Sequence, residues 1–87
     1  MIDAQEEKTM QKEFKCDVDF FWDSESAVWI ATSKDVKGLV LEDASLDHLM
    51  KRVQEAIPEL LMLNQFRASY IDYHFVATRD DRAVVYG

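Results

Sequence analysis

Asp17, Asp19 and Asp23 fall at odd positions along one apolar-alternating segment, so an extended chain presents all of them on one side. Carboxylates paired in that way are what a metal-dependent nuclease uses to hold divalent ions. A closed coordination shell also needs oxygens converging from other elements, and Glu42 and Asp72 are only loose candidates for that role. The simpler reading is a solvated acidic face. His48 lies opposite the apolar stripe of its helix and reads as a surface side chain, while His74 shares a strand face with Tyr70 and Asp72. A His beside an Asp can serve as base or ligand, yet a polar edge-strand face produces the same letters. Neither histidine has a second metal ligand at helical or hairpin spacing. Cys16 alternates with Phe14 and Val18, which points to burial, and no His or Asn partner for a thiol nucleophile is evident. Asp47, Lys51 and Arg52 read as pairs on a helix surface. With no Gly-rich phosphate loop either, the expectation is a chain with no catalytic residues, no metal and no cofactor: a binding protein and not an enzyme.

Composition narrows the partners. A chain of 87 residues supports one domain, and with 48% hydrophobic residues, two Gly and one Pro it has the makings of an ordered fold. Seventeen acids against ten Lys and Arg leave a net charge of −7, which repels phosphate backbones and suits a basic protein partner. Direct nucleic-acid binding is therefore not expected. The single Cys16 cannot form an internal disulfide, and no apolar stretch resembles a signal or membrane-spanning segment, so the expected location is cytoplasmic, away from any membrane.

The elements that position these residues follow from periodicity. Met1–Glu13 is polar, lacks an apolar stripe and reads as a flexible tail, leaving 14–87 as a single α+β domain. Phe14, Cys16, Val18, Phe20 and Trp22 alternate with Lys15, Asp17, Asp19 and Phe21 as in a half-buried strand, and the turn formers Asp23–Ser26 lead to a second strand at Val28–Thr32. Asp35 and Gly38 bracket a polar corner before a third short run, Leu39–Leu41. Ser45 is a good N-cap for an amphipathic helix carrying Leu46, Leu49, Met50, Val53, Ile57, Leu60 and Leu61 within an arc of about 120°. Pro58 predicts a bend there or a restart of the helix, and Asn64 a C-terminal cap. Tyr70–Thr78 is aromatic and β-branched, hence a fourth strand, with Arg82–Tyr86 as a candidate fifth. The order is β-β-β-α-β with one helix closing over the sheet.

The segments "VWIATSKDVKGLV", "SLD" at the helix opening and "AIPELL" near its end resemble the HicB-like antitoxin family, in particular its short branch of unknown function that lacks a DNA-binding tail. The resemblance covers roughly Phe14 to Val76. The family's Asp-x-Pro-Gly corner is here Asp35, Val36, Lys37, Gly38, with Lys37 in the place of Pro and the Gly retained. The resemblance implies a partial ribonuclease-H-like sheet with the helix on one face and the fourth strand beside the first, without that fold's nuclease site. It also implies an antitoxin that covers a small, basic, RNA-cleaving toxin of the HicA type. At most nine residues follow the fourth strand, too few for the helix-turn-helix or ribbon-helix-helix module that many HicB proteins carry.

Two strand registers are open. In one, Val28 and Ile30 pack under the helix while Phe21, Trp29 and Ala31 point to the uncovered side; in the other, Trp29 faces the helix and the open side is merely polar. The first register makes the uncovered side a partner surface, with Phe21, Trp29, Tyr70 and Tyr73 as anchors and Asp17 and Asp19 steering a basic toxin toward it. A small core with apolar residues on both sheet faces also predicts a homo-oligomer, most simply a dimer. The alternatives are an orphan self-associating domain without a toxin and, less favoured, a metal-dependent nuclease of ribonuclease-H-like fold.

Overall fold

Alternation from Phe14 to Trp22 builds the central strand, β1 (Glu13–Asp23), in the computed structural model, which describes residues 12–86. The expected tail, Met1–Glu13, lies outside the described residues except for Lys12 and for Glu13, which already belongs to β1. Strand β2 (Val28–Thr32) returns antiparallel, with Trp22 opposite Trp29 and Asp23 opposite Val28. The Asp23 carboxylate accepts from the Glu25 and Ser26 N–H groups at 3.1 and 3.4 Å, and Ala27 closes the turn at φ 55°. A short Asp side chain that satisfies its own following backbone is what makes this turn. Strand β3 (Val40–Asp43) pairs antiparallel with β2. Helix α1 (Leu46–Leu63) then crosses the sheet to β4 (Tyr70–Thr78), which lies parallel to β1. Parallel neighbours need such a crossover. The result is an α+β domain of order β-β-β-α-β, a four-stranded mixed sheet ordered β3-β2-β1-β4 with one helix.

Ser45 caps the helix by accepting from the His48 N–H at 3.2 Å, satisfying one of the donors a helix start leaves free. Leu49, Val53, Ile57 and Leu61 recur every fourth residue and are buried against the sheet, where each contributes about 1.5–3 kcal/mol. Leu46, Met50, Ala56 and Leu60 flank that line and are half-buried. The helix runs through Pro58 without restarting and ends at Asn64, whose N–H donates to the Leu60 and Leu61 carbonyls at 3.0 and 3.1 Å. The left-handed residue falls one position later, on Gln65 at φ 62°.

Two expectations are corrected here. The corner after β2 is not wholly polar: Val36 turns inward and joins the core, as does Leu39, which precedes β3 instead of opening it. Gly38 allows this turn by taking φ 88°, and a Cβ there would meet Leu60 Cδ2 only at an ordinary 3.8 Å, so backbone conformation and not space calls for glycine. Arg82–Tyr86 is not a fifth strand. Thr78 already pairs with Phe21 near the end of β1, so the chain beyond has no neighbour to continue the ladder, and every residue from Val76 to Tyr86 is exposed. Among the described residues no helix is long and apolar enough to cross a membrane.

Candidate interface: the open face of the sheet

Register assigns every strand side chain to a face. Cys16, Val18, Phe20 and Ala31 are buried under α1, and alternation places Phe14, Trp22, Trp29, Leu41, Asp43, Ile71, Tyr73 and Phe75 on that same side. The other side carries Lys15, Asp17, Asp19, Phe21, Asp23, Val28, Ile30, Thr32, Val40, Glu42, Tyr70, Asp72, His74, Val76 and Thr78. No element of the described chain covers it.

This settles the register in favour of the second, with Trp29 toward the helix, but the open side is not merely polar, since Phe21, Val40 and Val76 lie on it. Val28 and Ile30 lie on the open side, and Trp29 packs toward the helix, half-buried, with its ring 5.6 Å from that of Trp22. The Arg79 guanidinium sits over the Trp22 ring at 4.1 Å. Trp29 therefore lies on the helix side and not on the open face, where the first register makes it an anchor. Tyr73 leaves the candidate set for the same reason: it faces α1, and its hydroxyl donates to the Gln54 carbonyl at 3.4 Å. Burial first, then the nearby Cys16 thiol, holds the Tyr73 phenol above its ordinary value. Phe21, Tyr70, Asp17 and Asp19 remain on the open face as expected.

The open face has two ends. At one, four strands abreast give the rows Val40–Thr32–Asp19–Val76 and Glu42–Ile30–Phe21–Thr78, followed by Asp23 beside Val28. Phe21 and Val76 are each 42% exposed and Val40 69%, so this is an apolar patch in contact with solvent. Its carboxylates, Asp19, Asp23 and Glu42, are interleaved with the apolar side chains. At the other end only β1 and β4 remain, with Asp17 beside His74, Lys15 beside Asp72 and Glu13 beside Tyr70.

Asp17 is held in place by the corner. Its N–H donates to the Asp35 carboxylate at 2.8 Å, its carbonyl accepts from the Ser33 hydroxyl at 2.6 Å, and Lys34 approaches its carboxylate at 3.6 Å. These contacts replace the partner that β1 loses where β2 ends. Cys16 next to it is buried, and burial, then Asp35, then Asp17 raise its thiol above the ordinary value, the opposite of an activated nucleophile. Although Asp17, Asp19, Asp23, Glu42 and Asp72 share one face, no three His, Cys, Asp or Glu side chains among the described residues come close enough to hold a metal ion.

The polar cluster that sequence reasoning missed lies at the start of α1. Asp43 accepts from the Ser45 N–H at 2.9 Å and bonds the His48 ring and, at 3.4 Å, the Arg52 guanidinium. Arg52 also donates to the Glu42 carbonyl at 2.8 Å. These contacts, the Ser45 N–H foremost and then His48, hold the Asp43 carboxyl below its ordinary value. The expected pairing of Asp47 with Lys51 is not formed among the described residues; Arg52 reaches across to β3 instead. The one available signal was the spacing Asp43, Ser45, His48, which places a second acceptor just ahead of the N-cap. The cluster ties the helix start to the end of β3.

The fold defines a small α+β domain, a four-stranded mixed sheet with one helix on one face and an open face on the other. The chain belongs to the DUF1902 family, a domain of unknown function, which matches residues 15–87. It is also similar to the crystal structure of hypothetical protein TTHA1013 from the extremely thermophilic bacterium Thermus thermophilus, at 34% identity and a TM-score of 0.67, over 83% of this chain and 99% of that one. No curated protein matches the chain.

Proposed function

We propose that the protein is a binding module of the antitoxin kind that masks a small, basic, RNA-cleaving toxin with the open face of its sheet. The observation that carries the reading is the interleaving on that face of solvent-exposed Phe21, Val40 and Val76 with Asp19, Asp23 and Glu42. A ribonuclease must present a cationic surface to hold RNA, and an apolar patch set with carboxylates complements such a surface in both charge and desolvation. The net charge of −7 and the HicB-like segments from Asp35 to Leu61 point the same way. On this reading Phe21 and Ile30 are the desolvated anchors, Tyr70 adds contact at the far end, and Asp17 and Asp19 steer the approach. The protein acts by occupying the toxin's surface and carries out no chemistry of its own.

The test is co-expression with the product of an adjacent gene for a small basic protein, followed by co-purification and binding kinetics. Phe21→Ala is expected to speed dissociation, and Asp19→Asn to slow association and flatten its salt dependence. If no basic neighbour exists, or none co-purifies, the reading gives way to an orphan domain that associates only with itself.

A further inference from the structure

The two edges of the sheet are not alike. Strand β3 is four residues long and ends in Glu42 and Asp43, the short and charged form that discourages further pairing. Strand β4 is nine residues long, contains no Lys, Pro or Gly, and has no strand paired to its outer edge among the described residues. Beyond it Val84, Val85 and Tyr86 are 67%, 87% and 91% exposed. Near its beginning lies an apolar cavity of about 280 Å³ between the end of α1 and the chain leading into β4, lined by Pro58, Leu61, Met62, Phe66, Ala68 and Ile71 among others. Among the described residues, an unpaired edge, an exposed apolar arm at one end of it and an open apolar cavity at the other are mutually complementary under a two-fold axis.

We propose that two copies of the chain join through β4, antiparallel and centred on His74, each sending its arm Arg79–Tyr86 along the other toward that cavity. This names the surface of the homodimer expected from the small core and rests on that expectation. Charge weighs against three neighbouring registers and favours this one. Centring on Asp72 would set two carboxylates directly opposite, and centring on Val76 would set Asp72 opposite Asp80; both are repulsive. Centring on Tyr73 would set Arg67 opposite Arg79. Centring on His74 sets Asp81 opposite Arg67 of the second copy, an Arg with no ion pair among the described residues; Asp81, which Arg79 of its own chain holds at 2.9 Å, would be shared with or exchanged to that Arg. In that register odd-numbered residues of the arm share the layer of Ile71, Tyr73 and Phe75, so Ala83 and Val85 face the side on which the second copy's cavity opens. Eight residues at about 3.3 Å each give a reach of roughly 26 Å, enough to pass it. The open face of the sheet stays free in such a dimer.

The experiment is sedimentation of the full chain across a concentration series, combined with mild oxidation of His74→Cys and Asp72→Cys variants. Expected are a species of twice the chain mass and a disulfide-linked dimer for His74→Cys, whose Cα atoms would lie about 4.5–5.5 Å apart. Asp72→Cys should stay unlinked, because it would sit about 13 Å from its copy. Arg67→Glu should weaken the dimer about tenfold, and Asp81→Arg in the same chain should restore it. Deleting residues 84–87 should weaken it by more than tenfold; an unchanged dissociation constant would overturn the docking of the arm. A dimer that links at neither position overturns the β4 surface while leaving the homodimer standing, and a monomer throughout overturns both. Neither outcome bears on toxin binding, which the open face governs.

Discussion

The Tyr73 hydroxyl donates to the Gln54 carbonyl at 3.4 Å, and Gln54 is the residue whose carbonyl Pro58 deprives of its helical partner. A proline four residues on has no N–H to offer, so that acceptor needs another donor. Strand β4 supplies it. Tyr73→Phe is expected to cost about 0.5–1.5 kcal/mol, as for a typical hydrogen bond. Pro58→Ala restores the helical N–H and should stabilise the fold, by up to about 3 kcal/mol. In the double variant Tyr73→Phe should become nearly neutral, a coupling that urea unfolding of the four proteins measures directly.

Trp29 belongs to the fold. Trp29→Ala removes a half-buried ring and its packing on Trp22, so a loss of about 2–3 kcal/mol is expected, below the roughly 3–5 kcal/mol of a fully buried aromatic. The midpoint of denaturant unfolding should fall at unchanged slope. Binding of a partner at the open face should be unaffected at temperatures where the variant stays folded.

The Asp43 carboxyl is held below its ordinary value by the Ser45 N–H, His48 and Arg52. Its ionised form binds these donors in the folded chain and loses them on unfolding, so its contribution is present above the unfolded carboxyl range, near pH 4, and disappears as pH falls through the lowered value. Asp43→Asn should therefore flatten the acid limb of the stability–pH curve and bring the midpoint at neutral pH closer to that at acid pH. An acid limb as steep as that of the parent protein would show that these contacts do not set it.

No cleavage of RNA or DNA is expected from the chain alone with magnesium or manganese. Asp17 and Asp19, two residues apart on a strand, stand about 6.6 Å from one another, and Asp17 is already tied to the corner and to Lys34. Cleavage that requires metal and is lost in Asp17→Asn with Asp19→Asn would show a nuclease and would overturn the binding-module reading.

Element order was legible in the sequence because it rests on local periodicity. The alternation from Phe14 to Trp22, the fourfold recurrence from Leu49 to Leu61, the Ser45 cap and the β-branched and aromatic run Tyr70–Thr78 each specify their own segment without help from the rest of the chain. What sequence left open was the face of β2. Val28 and Ile30 on one side and Trp29 and Ala31 on the other are both apolar, so periodicity cannot choose between them. The hairpin chose: the Asp23 turn pairs Asp23 with Val28, and that count carries Trp29 and Ala31 to the side of Phe20. Likewise nothing in the polar surroundings of Val36 indicated burial; Gly38 at positive φ folds that corner back onto the helix. The partners of Tyr73 and Asp43 on α1 also depended on assembly, since Gln54 and Arg52 meet them only once the crossover helix lies on the sheet. Spacing along the chain determines what each segment becomes, whereas which atoms meet is decided by turn length and crossover, which bring distant segments into one register.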